Sequence, residues 1–371
     1  MENAWWHVPG PNRYIDEVEH HLKEGRSVVI QHPGNLPASI RDAVEMRVTA
    51  NDLWYWRTLD LADEHDCVDP LLLLTQRVVS DPGPASMQQL MDSCPDRVLW
   101  VDGIDGPGWS QWPDFLREFD HYARNFASPN HPLLCIHLAR HPDPTPLRGL
   151  AVVKTCPWKH VVGRYDMLLF LAKYLAEDHQ PGLIWEVRLH LCAELAGTDG
   201  NLAKHLATAD LDTLVSPMSL LQTIAQSRHL NDSPDNAPSW QTGTQEYWDG
   251  RWRLNSCLAA TRGDWSEIAR RVWKAQVGVV FPFIEEQRIQ LVPLVQPLLK
   301  FPFEDQHGET ITDATDLEIG QLRHYAERSG VIGGFLRRLT LLHRMRRALA
   351  HVGPVTADDL RGAANLPLTT D

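Results

Sequence analysis

Short apolar segments alternating with helix-patterned stretches most constrain what the first half of this chain can become. Five such segments are centred near residues 28, 47, 99, 135 and 152. The first, Val28-Val29-Ile30, lies in the stretch RSVVIQHPGNLPASIR at residues 26–41, where a strand over 27–31 runs into a Pro/Gly loop and then a helix start. Segments apolar on both faces belong to a parallel sheet covered on both sides. Residues 12–23 place Tyr14, Ile15, Val18 and Leu22 at near-helical spacing before Gly25, and read as an amphipathic helix. Helices are expected over 39–46, 86–93, 109–126 and 166–177, with a Trp- and Leu-rich helix-like stretch over 51–79. Val48 opens the second extended piece, and strands follow over 97–101, 133–138 and 150–154.

After Pro181-Gly182 the alternation stops. Residues 183–196, 201–208 and 219–227 read as helical, 231–245, polar with Pro and Gly, reads as a surface loop, and Asp264-Trp265 after 256–261 reads as a helix start. A long apolar helix over 267–291 is expected to break at Pro282. Helices over 316–330 and 331–351 close the chain. The fold class is α/β: a parallel five-stranded sheet with helices on both faces over 1–180, followed by an all-α domain over 181–371.

The 371 residues, 43% apolar and 22% charged, suit two folded domains with ordinary cores. Fourteen Trp residues are expected to anchor helix packing. Cys67, Cys94, Cys135, Cys156, Cys192 and Cys257 show no C-x-x-C pair, so free and mostly buried thiols are expected. The histidines form no H-E-x-x-H or Cys/His cluster; His20-His21 and His137 with His141 read as surface or strand-end residues, and no metal site is expected. The opening residues lack the basic and apolar regions of a signal peptide. The longest apolar runs, 71–74 and 277–284, fall far short of the roughly 20 residues of a bilayer span. A cytoplasmic protein without a membrane segment is expected.

The net charge of −13 argues against broad nucleic-acid binding. It is unevenly spread. Residues 321–351 hold Arg323, Arg328, Arg337, Arg338, Arg344, Arg346 and Arg347 against Glu327 alone, a segment of +6 on a remainder of −19. Such a segment is either a partner or phosphate-backbone surface, RNA included, or a solvated helix face docked on an acidic body.

A phosphate loop, G-x-x-x-x-G-K-[ST], wraps phosphates with backbone N–H groups, a Lys and a hydroxyl. With Ser39 at the hydroxyl position, His32 and Pro37 stand where the glycines belong and Ala38 where the Lys belongs. Downstream, the apolar strand LWV ends in Asp102-Gly103-Ile104-Asp105, a D-G-x-D that can hold a magnesium-bound water. This order and spacing over residues 10–178 resembles the P-loop ATPases of the AAA+/STAND superfamily. The resemblance implies a nucleotide position at Ser39, Asp102 and Asp105. Gly103 stands in the place of the catalytic Glu of many relatives, and the altered loop implies a pseudo-ATPase that holds no cofactor.

Near the C-terminus, Arg346 and His351 are similar to the Arg-x4–6-His motif of HEPN-domain RNases, an Arg stabilising phosphate charge beside a His acid/base. Arg338 and His343 fit the same spacing, and Arg347 replaces the small polar residue usual in that motif. Residues 352–355, followed by a Thr356–Asp359 cap opening a helix, also resemble the start of a winged helix. STAND-like and HEPN-like features combined imply a place in a prokaryotic antiviral system. The expected function is a non-catalytic scaffold or regulatory subunit of a larger assembly, with a protein partner or self-assembly. The alternatives are a metal-independent HEPN-type RNase using Arg346 and His351, and a non-hydrolysing nucleotide sensor using Asp102 and Asp105.

Overall fold

The computed structural model describes residues 2–34, 39–50, 54–62, 69–79, 84–93, 97–104, 108–125, 131–139, 147–175, 182–228, 239–304, 308–331 and 333–365. Pro37, Ala38, Asp105, Cys67, Cys94 and His141 lie outside the described residues. The chain divides into two compact units that interleave in sequence. The first comprises 1–170, 198–201 and 233–255, and the second 171–197, 202–232 and 256–371.

In the first unit, a short 3-10 helix, Glu2–His7, leads into α1 (Pro9–Lys23), β1 (Ser27–His32) and α2 (Ile40–Thr49). Then come β2 (Tyr55–Asp60), α3 (Pro70–Val78), α4 (Met87–Ser93), β3 (Arg97–Asp102), α5 (Trp112–Asn125), β4 (Leu133–Ala139), β5 (Val153–Pro157) and α6 (Arg164–Leu175). The five strands form one parallel sheet in the order β2-β3-β4-β1-β5, compatible with a P-loop-like α/β fold. Parallel neighbours require crossover connections, which is what the intervening helices supply.

The sheet core follows from period-2 alternation. Val29, Leu99, Val101, Leu134 and Ile136 point into one cluster with Leu74 of α3, Leu90 of α4 and Leu116 and Phe119 of α5. The alternate residues of the same strands face the other side, where α1 and α2 lie. With both faces covered, β1 is buried at every position, which is why its centre, Val28-Val29-Ile30, reads as an apolar run. Asp69 caps α3 through its carboxylate and Pro70 starts that helix without needing an N–H donor.

Two expectations for this unit are corrected. Val48 is not in a strand but in the last turn of α2, and the second strand is β2, inside the stretch expected to be helical. At the sheet edge β2 is largely exposed, so it needs no apolar run; Tyr55, Trp56 and Thr58 are strand formers by shape. The fifth strand lies three residues later than expected at each end.

The second unit is helical: α7 (Leu183–Ala196), α8 (Gly200–Ala207), α9 (Leu211–Val215) and α10 (Met218–Ser227) precede a β6–β7 hairpin (Gln245–Trp248, Arg251–Leu254) that belongs to the first unit. After it come α11 (Ser256–Thr261), α12 (Trp265–Val295), a two-residue ladder β8–β9 (Phe303–Glu304, Thr310–Ile311), α13 (Ile319–Arg328), α14 (Gly334–Ala350) and α15 (Ala357–Ala364). The second half of the sequence is therefore not wholly helical, and α12 does not break at Pro282. It continues through Pro282 and Pro293. A helix tolerates the missing N–H where tertiary packing outweighs it, and Val279, Val280, Ile284, Leu291 and Val292 around these prolines are buried.

Polar anchors fix α12 within its unit. The Gln276 amide donates to the Val355 carbonyl at 2.9 Å and accepts from the Val355 N–H at 2.7 Å. Arg271, fully buried, donates to Glu267 Oε1 at 2.8 Å and to Ser256 Oγ at 2.7 Å.

Candidate functional site

Because all five strands are parallel, their carboxyl ends share one rim. The connections that leave β1 and β4 run in opposite directions across the sheet, and such a point is where α/β sheets open a ligand crevice. Alternation brings Trp100 and Asp102 of β3, His137 of β4 and His32 of β1 to the same face of this rim. Since β4 lies between β3 and β1, His137 stands between the other two.

The contacts follow that order. His137 Nδ1 and Asp102 Oδ1 are 3.0 Å apart. The Gly103 N–H donates to the same oxygen at 2.9 Å, and the Trp100 indole donates to Oδ2 at 3.4 Å. Burial would raise the Asp102 carboxyl, but the His137 hydrogen bond and charge, with the Gly103 and Trp100 donors, outweigh it and hold the pKa at about 2. On its other side His137 stacks on His32, with ring centroids 4.4 Å apart and planes 13° from parallel. Trp100 stacks on His137 at 5.4 Å, and Trp56 lies against Trp100 at 5.6 Å. His32 Nδ1 accepts the Gly34 N–H at 3.0 Å.

Asp102 thus holds His137 by Nδ1, and the other ring nitrogen, Nε2, is buried with no hydrogen-bond partner among the described residues. An Asp–His pair of this kind is the orienting half of an acid/base device. Gly103 has φ 79°, and a Cβ there would lie 2.4 Å from the Ala62 backbone nitrogen. A side chain at 103 would run into the chain just beyond β2, so the close approach there requires glycine.

Ser39 is buried at the start of α2, and its Oγ accepts the Trp6 indole N–H at 2.8 Å. Trp6 in turn meets Trp158 edge-on at 5.8 Å, and Trp158 meets Tyr14 at 4.8 Å. The Tyr14 hydroxyl is tied to the Cys156 carbonyl at 2.7 Å. The hydroxyl expected to face a nucleotide is therefore bound into an aromatic cluster.

The turn before β6 packs on the β1–α2 loop. Gly243, with φ 72°, comes so close to Pro33 that a Cβ would lie 2.6 Å from the Pro33 carbonyl oxygen. The hairpin behind it is anchored by a buried Arg253–Glu246 ion pair at 2.8 Å, by the Thr198 N–H on Glu246 at 2.9 Å, and by His160 edge-on to Tyr247 at 4.2 Å.

Among the described residues one group has metal-ligand chemistry: Glu17, His21 and Cys156, with ligand atoms within 4.8 Å of one another. Burial, followed by the Glu17 charge, pushes the Cys156 thiol up to about 12, and burial lowers His21. A thiol held neutral in this way opposes the thiolate form that a metal needs. The sequence hid this group because Cys156 comes from β5 and the other two from α1.

In the second unit Arg346 is ion-paired with Glu318 at 2.9 Å, and His351 is the exposed C-cap of α14. No hydrogen bond joins Arg346 to His351 among the described residues. For His343, four residues before Arg347, burial and then the charges of Arg323, Arg347 and Arg346 lower the pKa. Neither His32, His137 nor the two tryptophans beside them figured among the site residues expected from sequence. The signal available was their position at apolar strand ends.

In comparison with protein families and curated proteins, no family model and no curated protein matches the chain. Among the described residues no helix is long and apolar enough to cross a membrane.

Proposed function

We propose that this protein is a non-catalytic, P-loop-like scaffold or regulatory subunit in which the nucleotide position is filled by the chain's own side chains. The observation that carries this reading is the Trp6–Ser39 hydrogen bond, because it commits the hydroxyl that a magnesium–nucleotide complex would use. Three further features support it: the turn at Gly243 lies on Pro33, the His137 ring and two other donors take up the Asp102 carboxylate, and Gly103 admits no catalytic side chain. A closed scaffold of this kind works through surfaces. Its partner is a protein or a second copy, and the arginine-rich 321–351 segment supplies a phosphate-backbone contact to RNA. The pairing of a P-loop-like sheet with an Arg/His-bearing helical unit directs the reading towards a cytoplasmic prokaryotic defence assembly.

The test is equilibrium dialysis of the purified protein against labelled ATP with magnesium, alongside phosphate release and co-purification from the native host. Neither retained nucleotide nor turnover is expected, and a stable partner or oligomer is. Magnesium-dependent ATP binding that disappears in Asp102→Asn would overturn the proposal in favour of a nucleotide sensor. For the Arg346/His351 pair, total RNA incubated with wild type and with His351→Ala should give identical patterns. Cleavage lost in the variant would assign an RNase instead.

A further inference from the structure

Gly320 of α13 faces His343 of α14 so closely that a Cβ at 320 would lie 3.1 Å from both Cδ2 and Nε2 of the ring. Arg323 is three residues beyond Gly320, and Arg346 and Arg347 are three and four beyond His343, so all of them share the faces that meet there. Burial and these three guanidinium groups act together on His343 to disfavour its charged form. The Nε atoms of Arg323 and Arg346 are both buried without a hydrogen-bond partner among the described residues. Glu318 holds Arg346 through Nη2 at 2.9 Å, while no carboxylate among the described residues pairs with Arg323 or Arg347.

A helix C-terminus favours cations, which accounts for Arg347 in the last turn of α14. It does not account for Arg323, mid-helix in α13 and one turn beyond the Gly320 that meets the same histidine. Like charges brought together with buried, unpaired donors are unfavourable until an anion joins them. Along the outer face of α14, exposed Arg337, Arg344 and Arg347 follow at seven- and three-residue steps, about 10 and 5 Å apart at ~1.5 Å per residue; of these, Arg344 is paired with Asp359 through Nε at 3.1 Å. An open groove of about 440 Å³ between Arg337 and Arg344 is lined by Leu336, Thr340 and Leu341. A single anion needs only the notch; exposed Arg337 and the groove beside it suit a chain of phosphates.

We propose that Arg323, His343 and Arg347, with Arg346 held by Glu318, form a phosphate-binding notch, and that it seats one phosphate of an RNA backbone running along α14. The assignment of RNA rests on the backbone contact proposed above, whereas the notch itself requires only a phosphate oxyanion. Arginine forks satisfy phosphate oxygens in pairs, and the His343 ring gains a charge partner when the anion arrives.

The test uses the full chain in three arms. Fluorescence anisotropy follows a labelled single-stranded RNA over a salt series. Nitrogen-detected NMR titration of His343 follows inorganic phosphate, and a phosphoserine peptide competes against the RNA. Arg323→Gln and Arg347→Gln are each expected to weaken RNA binding about tenfold and to flatten the salt slope by about one unit. Arg323→Lys should retain part of the affinity, and the unfolding midpoint of each variant confirms its fold. Phosphate should raise the His343 pKa in wild type and not in Arg323→Gln.

RNA binding unaffected by both Gln variants overturns the notch and leaves the backbone contact standing. A His343 response to phosphate without RNA binding supports the notch as a free-phosphate site and overturns the RNA assignment. Displacement of RNA by the phosphopeptide at lower concentration than by unlabelled RNA also overturns that assignment. No response in any arm overturns both.

Discussion

The indole N–H of Trp6 donates to the hydroxyl of Ser39 at 2.8 Å, and both residues are buried. A residue from the N-terminal 3-10 helix thereby occupies the hydroxyl at the start of the first helix after β1. Ser39→Ala leaves a buried indole donor unpaired and is expected to cost about 1–3 kcal/mol. Urea unfolding measures it. Wild-type stability in this variant would show that the bond contributes nothing.

Asp102 gives the chain a pH signature. Its folded pKa of about 2 lies below the ordinary carboxylate value, so its contribution is present above about pH 4. It is lost as pH falls through the folded value. Asp102→Asn should therefore be less stable than wild type at pH 7, with a deficit that shrinks between about pH 4 and pH 2. Thermal melts across that range provide the check; a deficit independent of pH would place its origin elsewhere.

Gly243 and Gly250 form a matched pair. Both have positive φ, 72° and 84°, but only Gly243 has a neighbour, the Pro33 oxygen at 2.6 Å from a Cβ. Gly250→Ala should cost the backbone term alone, about 1 kcal/mol. Gly243→Ala should cost clearly more, on the order of 2–3 kcal/mol, because the β1–α2 loop must also shift. Equal losses would mean that the turn yields freely.

Arg271→Met in α12 removes a fully buried guanidinium from Glu267 and Ser256. Breaking such a pair is expected to cost about 3 kcal/mol, and chemical denaturation reads it. A double-mutant cycle with Glu267→Gln should show coupling, which would be absent if Arg271 merely filled space.

What the sequence revealed was decided by burial on two sides. The centres of β1, β3 and β4 are apolar because helices cover both sheet faces, and they were legible. β2 lies at the edge, and only its side-chain shapes marked it. The β6–β7 hairpin has a local signal in Asp249-Gly250 between short strands, with φ 50° and 84°, as a two-residue hairpin turn requires. Of the site, Asp102 was found through its motif. His137 and His32 were not, because their proximity is made by strand order, which no local spacing reports. Pro282 misled for the opposite reason: local chemistry predicts a break that packing around α12 overrides.

The hairpin has a consequence for how the protein is made. The first unit includes residues up to 255, with α7 to α10 of the second unit encoded in between. A growing chain can pair its five strands once β5 has emerged, yet Pro33 and His160 wait for a segment nearly a hundred residues further on. At about 5–20 residues per second, the sheet is left without this cover for some 5–20 seconds of synthesis. A partner that recognises the uncovered rim would have that interval, and only that interval, in which to act.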